Sequence, residues 1–363
     1  MDNITHSLFA LTLGRTRLGQ AGRGSTAALL IASNIPDIDA VALLRGGASY
    51  VEWHRGPTHG ALSVVALGLP AAGLAWLWTR GQARYARRPL EPAATLPALA
   101  AVSMIGVLFH LLMDFPTAYG TRLLSPFDWH WYSVDWMPII DIYLLAALLF
   151  GLVLAGRHPE TRRRGAMAAL IFMTGNYVVR AAAHHEALAL APNLLGALPE
   201  RCDARQPAGM APEHWPLAAA APVEGREPPC LVEIAAIPTF LTPTTWRMIT
   251  RLSSGYEVRD LDLLDALPGS APARRVRLFF PNEWTPPVRM AAETPLGQLF
   301  LGFSRFPAAR ASVDDSGAAT VRMSDMRFVG GPLRLERRPE REPFSALIRF
   351  DAAGRVVEQR FDP

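Results

Sequence analysis

Three histidines and a carboxylate stand in two short polar clusters, each at the end of an apolar run: His54-Arg55-Gly56-Pro57-Thr58-His59 and His110-Leu111-Leu112-Met113-Asp114. His110 and Asp114 are four apart, so on a helix both side chains leave the same face one turn apart. Imidazole nitrogen with carboxylate oxygen suits Zn²⁺, Mn²⁺ or Fe²⁺, whereas a magnesium site uses oxygen almost alone. The same pair can also satisfy itself, the carboxylate accepting from the imidazole with no ion. The apolar setting favours function, because ionisable groups in membrane spans are rare and usually functional.

His54 and His59 bracket a Gly-Pro turn that lets two imidazoles converge, and Thr58 is placed to cap a helix opening at Gly60. Arg55 offers a planar fork for a phosphate, or a contact with lipid headgroups. Asp37 and Asp39 diverge on a continuous helix, but Pro36 should break that helix and let both reach one cluster. Asn34 either caps the next turn or orients Asp37. His6, after Asp2 and Thr5, opens the first helix. The candidate ligands are therefore His6, Asp37, Asp39, His54, His59, His110 and Asp114, around two or three ions. Asp37 or Asp114 would take the proton from an attacking water, and Arg55 would hold the substrate. Asp128, His130, Asp135 and Asp141 lie in or beside the loop 115–137, and Asp135 or Asp141 is placed to accept from an imidazole N–H. Trp129, Trp131, Tyr132 and Trp136 read as an interfacial belt. The simplest chemistry for such a site is hydrolysis of a phosphate ester by metal-activated water.

These residues need apolar elements to carry them. The chain has 363 residues, 50% of them hydrophobic and 19% charged, and its mean hydropathy of +0.15 leans toward membrane spans. Segments 61–79, 95–113, 138–156 and 166–184 read as four spans, and 3–19 and 25–44 as two further helices. Arginines cluster in three loops: Arg15, Arg17 and Arg23; Arg80, Arg84, Arg87 and Arg88; Arg157, Arg162, Arg163 and Arg164. If all six segments cross, these loops share the cytoplasmic side, and the His/Asp clusters face the other. The tail is then extracytoplasmic, where a Cys202–Cys230 disulfide is permissible. No cleavable signal peptide is visible. A net charge of +4, scattered along the chain, gives no nucleic-acid footprint.

The expected architecture is mainly α: a polytopic membrane domain over 1–190, a Pro/Gly/Ala-rich linker over 191–232, and a small mixed or mainly β soluble domain over 233–363. Its strands are expected at 276–280, 320–324, 326–329, 346–350 and 356–358, with a turn at 351–355 and a helix at 294–303.

Residues 1–190 resemble the YdjM-type family of inner-membrane metal-dependent hydrolases, also called LexA-binding inner-membrane-associated hydrolases. The likeness rests on Met1-Asp2-Asn3-Ile4-Thr5-His6, Asn34-Ile35-Pro36-Asp37-Ile38-Asp39, His54-Arg55-Gly56-Pro57-Thr58-His59, and His110-Leu111-Leu112-Met113-Asp114 followed by Thr117 and Gly120. Where that family usually has a serine after the second histidine of the third block, this chain has Gly60. Such proteins are grouped with the zinc-dependent phospholipase C and P1 nuclease fold, which implies His6, Asp37, His54 or His59, His110 and Asp114 as ligands of several zinc ions. The resemblance implies a bacterial inner-membrane location, and the position of the site suggests a lipid or lipid-linked phosphate as substrate. A cytoplasmic LexA partner does not fit a site on the outer side. Two other classes compete: a transporter, whose His and Asp groups would spread through the bilayer depth, and a scaffold with a structural metal and a partner-binding tail.

Overall fold

A computed structural model describes residues 1–87, 89–153, 158–202, 213–215, 228–266, 277–330 and 343–362. They form two compact units, Met1–Val41 with Trp53–Arg180, and Ala42–Glu52 with Ala181–Pro363. In chain order come α1 (Asn3–Gly14), α2 (Ser25–Ala32), a 3-10 stretch (Ile35–Arg45), α3 (Gly47–Trp53), α4 (Ser63–Tyr85) and α5 (Leu96–Asp114). Then follow β1 (Trp131–Ser133), α6 (Ile142–Val153) and α7 (Pro159–Leu195), within which the chain passes from the first unit to the second.

In the helical unit the Asp2 side chain accepts from the amides of Ile4 and Thr5 and so caps α1. α2 stops at Ala32 and the chain continues as a 3-10 stretch, the break expected where Pro36 has no amide to give. Small residues bring the helices together: a Cβ on Gly106 of α5 would lie 2.7 Å from that of Ala32 on α2, and one on Gly68 of α4 would lie 2.7 Å from Met104 Cγ. Phe9, Leu29, Leu99, Met113, Leu144 and Leu148 fill the core between them. Three segments among the described residues are long and apolar enough to cross a bilayer: Ser25–Arg45, Leu96–Asp114 and Pro159–Asn193.

Among the described residues the span count therefore differs from the expected one. Segments 25–44 and 166–184 fall within two of these and 95–113 matches the third to one residue, but 138–156 is represented among the described residues by α6, whose 12 residues reach only about 18 Å. Residues 154–157 lie outside the described set. The first segment, 3–19, is the 12-residue α1 followed by a separate 3-10 turn, Arg17–Ala21. Segment 61–79 lies largely in α4, which has the length, but Pro70 and the arginines of its last turns dilute its apolar character. The arginine-bearing loops nevertheless gather at one end of the unit. Arg15 donates to the Leu152 carbonyl at 2.7 Å, and Arg23 donates to the Thr79 carbonyl at 3.0 Å and the Glu91 carbonyl at 3.1 Å. Arg88 and Arg157 lie outside the described residues.

The second unit carries β2 (Glu213–Trp215), β3 (Leu231–Pro238), β4 (Thr245–Leu252), β5 (Gly255–Asp262), β6 (Arg277–Pro281), α8 (Pro286–Glu293), α9 (Pro295–Phe303), β7 (Pro307–Val313), β8 (Ala319–Asp325), β9 (Ser345–Phe350) and β10 (Val356–Asp362). Two four-stranded antiparallel meanders result, ordered β3-β4-β5-β6 and β10-β9-β8-β7. Their registers place Ala235 opposite Ile249 and Val321 opposite Ile348. Trp246, Met248 and Leu261 pack against Ala187, Ala191 and Leu195 of α7. Asp351 and Gly354 close the expected turn, the Gly354 amide donating to the Asp351 carbonyl at 2.9 Å with Gly354 at φ 76°. Segment 326–329 is a turn rather than a strand: Met326 N bonds back to Phe306 O and Phe328 N to Asp325 O. Cys202 and Cys230 form a disulfide.

Candidate metal centre

The ends of α1, α5 and the 3-10 stretch, together with the turn before α4, bring the polar blocks to one place. Asp37, His59, His110 and Asp114 each offer one ligand atom, and these atoms lie within 4.8 Å of one another. His59, His110 and Asp114 are fully buried, and the Asp37 side chain is 10% exposed. His59 Nε2 lies 3.1 Å from His110 Nε2, 3.4 Å from Asp37 Oδ1 and 3.3 Å from Asp114 Oδ2. His110 Nε2 lies 3.8 Å from Asp37 Oδ1 and 3.6 Å from Asp114 Oδ2.

The other ring nitrogens fix which atoms are lone pairs. His110 Nδ1 is 2.8 Å from the Ser33 carbonyl, which only accepts, so Nδ1 carries a proton and in the neutral ring Nε2 is an acceptor. His59 Nδ1 faces Asp39 Oδ2 at 3.2 Å and the Thr58 hydroxyl at 3.0 Å. That hydroxyl is already donating to Asp39 Oδ2 at 2.8 Å, so His59 Nδ1 must donate too. Two imidazole lone pairs and two carboxylate oxygens thus converge in a buried space. Acceptors facing acceptors there are costly without a cation between them, and two nitrogens with two oxygens match a borderline divalent ion.

The remaining candidates surround this group. His6 stacks on His110, ring centroids 3.9 Å apart, with its Nε2 3.3 Å from Asp114 Oδ1; the Met1 amine lies against the same oxygen. Asp39 and His54 stand outside the four, joined to each other by His54 Nδ1 to Asp39 Oδ1 at 2.9 Å. Burial pushes the His54 imidazole below its ordinary pKa, against the pull of the Asp39 carboxylate. Arg55 is buried. Its Nη2 reaches Asp114 Oδ2 at 3.1 Å, and its Nη1 donates to Thr117 Oγ1 at 2.9 Å and to the Gly120 carbonyl at 3.0 Å. Its guanidinium also lies over the Tyr119 ring, 4.9 Å from the centroid.

Several second-row expectations are corrected. Thr58 does not cap α4, which opens at Ser63 without a side-chain cap; its hydroxyl goes to Asp39 instead. Asn34 donates from Nδ2 to the Leu30 carbonyl at 2.8 Å and takes the Ser7 hydroxyl. The imidazole N–H groups of His59 and His110 go to the Thr58 hydroxyl beside Asp39 and to the Ser33 carbonyl, while Asp135 bonds the Ser133 hydroxyl at 2.8 Å and Asp141 pairs with Arg180 at 2.6 Å. Asp128 holds His130 and Tyr132. Ser33, Thr117 and Gly120 were given no role from sequence: Ser33 and Gly120 act through backbone carbonyls, which no residue type announces. The spacing of Thr117 and Gly120 after Asp114 was the available signal.

No solved structure matches the chain. A curated relative, "Uncharacterized protein YfhP" of Bacillus subtilis (strain 168), is 26% identical over 190 residues, covering 50% of this chain and 54% of that protein. The chain thus spans about half the length of that relative. The family model described as "YdjM inner membrane protein" matches residues 1–187, the stretch that holds all four converging ligand atoms. This chain belongs to the YdjM family, as an inner-membrane protein with a buried His/Asp cluster able to coordinate a metal ion.

Proposed function

We propose that the protein is a membrane-bound, metal-dependent hydrolase of a phosphate ester carried by a lipid or lipid-linked substrate. The observation that carries this reading is the pair of imidazole Nε2 atoms 3.1 Å apart, both left as acceptors and both facing carboxylate oxygens. Asp37, His59, His110 and Asp114 would hold Zn²⁺, Mn²⁺ or Fe²⁺, which when bound lowers the pKa of water and offsets charge on phosphate oxygens. Asp114 is held by Arg55 from one side and His6 from the other, so its place in the group is fixed. Asp37 Oδ2 is a buried oxygen with no hydrogen-bond partner among the described residues, so its lone pairs are left to take the proton from an attacking water. Arg55, tied to Asp114, Thr117 and Gly120, serves Asp114 and neutralises its charge rather than reaching out to a phosphate.

Apolar side chains next to the ligands support an amphiphilic substrate. Ile4, Ile38, Val41 and Leu112 are all exposed and stand within four residues of His6, Asp37 or Asp114, so a lipid phosphate can approach without leaving the bilayer. The reading places the site and the β unit outside the cytoplasm. The arginine loops gather at the end of the helical unit away from the cluster, as positive-inside orientation requires, and the Cys202–Cys230 disulfide favours an oxidising compartment.

Purified protein reconstituted with zinc or manganese should release phosphate or headgroup from a short-chain phospholipid in mixed micelles, and Asp37→Asn should reduce that release at least 100-fold. Full ion occupancy with no turnover of phospholipid or aryl phosphate above the Asp37→Asn background would exclude the hydrolase reading and leave the metal structural. A periplasm-active reporter fused after Pro363 should be active; activity from a cytoplasmic reporter alone would reverse the orientation.

A further inference from the structure

Asp39 has the residue type of a ligand and lies beside the converging group, yet both its oxygens are already taken. Oδ1 receives His54 Nδ1 at 2.9 Å. Oδ2 receives the Arg55 amide at 2.9 Å and the Thr58 hydroxyl at 2.8 Å, and it lies 3.2 Å from His59 Nδ1, which is bonded to the Thr58 hydroxyl oxygen at 3.0 Å. A carboxylate has about four lone-pair sites, so three donors with the His59 ring close by leave little for an ion. One of those donors belongs to Arg55, whose φ of 52° is uncommon for a residue with a Cβ. The Asp39 bond to its amide holds the chain in that turn.

Resting on the metal reading above, we infer that Asp39 is a positioning residue rather than a ligand: it fixes His59 with the proton on Nδ1, so that Nε2 faces the ion, and pins the His54–His59 turn. A carboxylate accepting from the far nitrogen of a ligating imidazole both orients the ring and raises its basicity. The histidine block and the aspartate block of the sequence are thereby locked together before any ion arrives. His54 spends its Nδ1 directly on this carboxylate, whereas His59 is held to it through the Thr58 hydroxyl.

The test compares the full-length wild type with Asp39→Asn in detergent, using zinc competition against a chromophoric chelator and X-ray absorption of the bound zinc. Asp39→Asn should weaken zinc binding about 10 to 100-fold, as loss of such outer partners generally does, while the zinc keeps the same number of nitrogen and oxygen neighbours. Thr58→Val, which removes one donor to Asp39 and no ligand, should lower affinity in the same direction by less, and it keeps the question open to decision if Asp39→Asn fails to fold. Loss of an oxygen neighbour in Asp39→Asn would make Asp39 a ligand and overturn the inference. Unchanged affinity in both variants would overturn it as well, with the metal reading intact. A wild type that binds no zinc, manganese or iron would remove the metal reading and this inference with it.

Discussion

In the β-sheet unit Asp325 is wholly buried and meets donors on both oxygens. Arg327 reaches Oδ1 through Nε at 3.1 Å and Oδ2 through Nη2 at 2.7 Å, and the Arg305 amide adds a bond to Oδ2 at 3.2 Å. Arg305 in turn gives its guanidinium to Glu233 at 3.0 Å. In the helical unit Asp141 follows the same rule, closed by Arg180. Asp37 does not: beside it stand His59 and His110, whose facing nitrogens are lone pairs in the neutral rings. A buried carboxylate is tolerated when a cation answers it. Where only a fold is needed, arginine supplies that cation within the chain. Around Asp37 the neutral imidazoles supply further acceptors, an arrangement able to coordinate a metal ion.

The largest expected effect lies on the open cluster. His110→Ala combined with Asp114→Ala removes two of four ligand atoms, and metal analysis of the purified double variant should find no bound ion. Full occupancy there would break the contrast between the two units. Next comes the closed pair: Asp325→Ala leaves Arg327 buried without its carboxylate and should destabilise the protein by about 3–5 kcal/mol, read by thermal unfolding, with metal content unchanged. A loss of less than about 1 kcal/mol would mean that Arg327 finds water, and that the unit is less closed than its bonds indicate. Third, if the wild type carries an ion at a free concentration of 100 Kd, chelation should lower stability by about 2.7 kcal/mol. Asp37→Asn should show a smaller chelator effect, because its ion is weaker to begin with.

The helical unit was legible in the sequence where pattern and chemistry coincide. Pro36 announced the break after α2, and the His54–His59 and His110–Asp114 blocks announced the cluster, because imidazoles at the ends of apolar runs have few structural uses. Spans were read less well: an apolar run says how far a helix can go, and α1 stops at its Arg15 cap, short of the segment read from the sequence. Within the cluster, residue type did not separate ligands from the groups that hold them. Asp39, His54 and Arg55 carry ligand or substrate chemistry in their side chains, and only their bonded partners show how those groups are occupied. In the β unit, β8, β9, β10 and α9 followed from alternation and turn residues. β3, β4 and β5 escaped: β4 has six consecutive buried residues, and a strand covered on both faces loses the alternation that marks a half-exposed one.

The smallest effect belongs to a carboxylate that is closed but exposed. Asp351, at the turn between β9 and β10, is held below the ordinary carboxylate range chiefly by the Arg355 amide, with the Arg355 guanidinium and the Ala353 amide adding to it against the opposing push of desolvation. A carboxylate whose folded value is depressed stabilises the fold above its unfolded value of about 3.9, and that contribution disappears as pH falls through the folded value. Wild type should therefore exceed Asp351→Asn in thermal stability at pH 6, and the difference should shrink steadily below about pH 4. Because water and salt screen this turn, the gap at pH 6 should be the least of the four effects and should narrow further in high salt. A gap as large as that of Asp325→Ala would show that burial is not what separates strong closed pairs from weak ones in this protein, and would shift the contrast with the Asp37 cluster from burial to bond count.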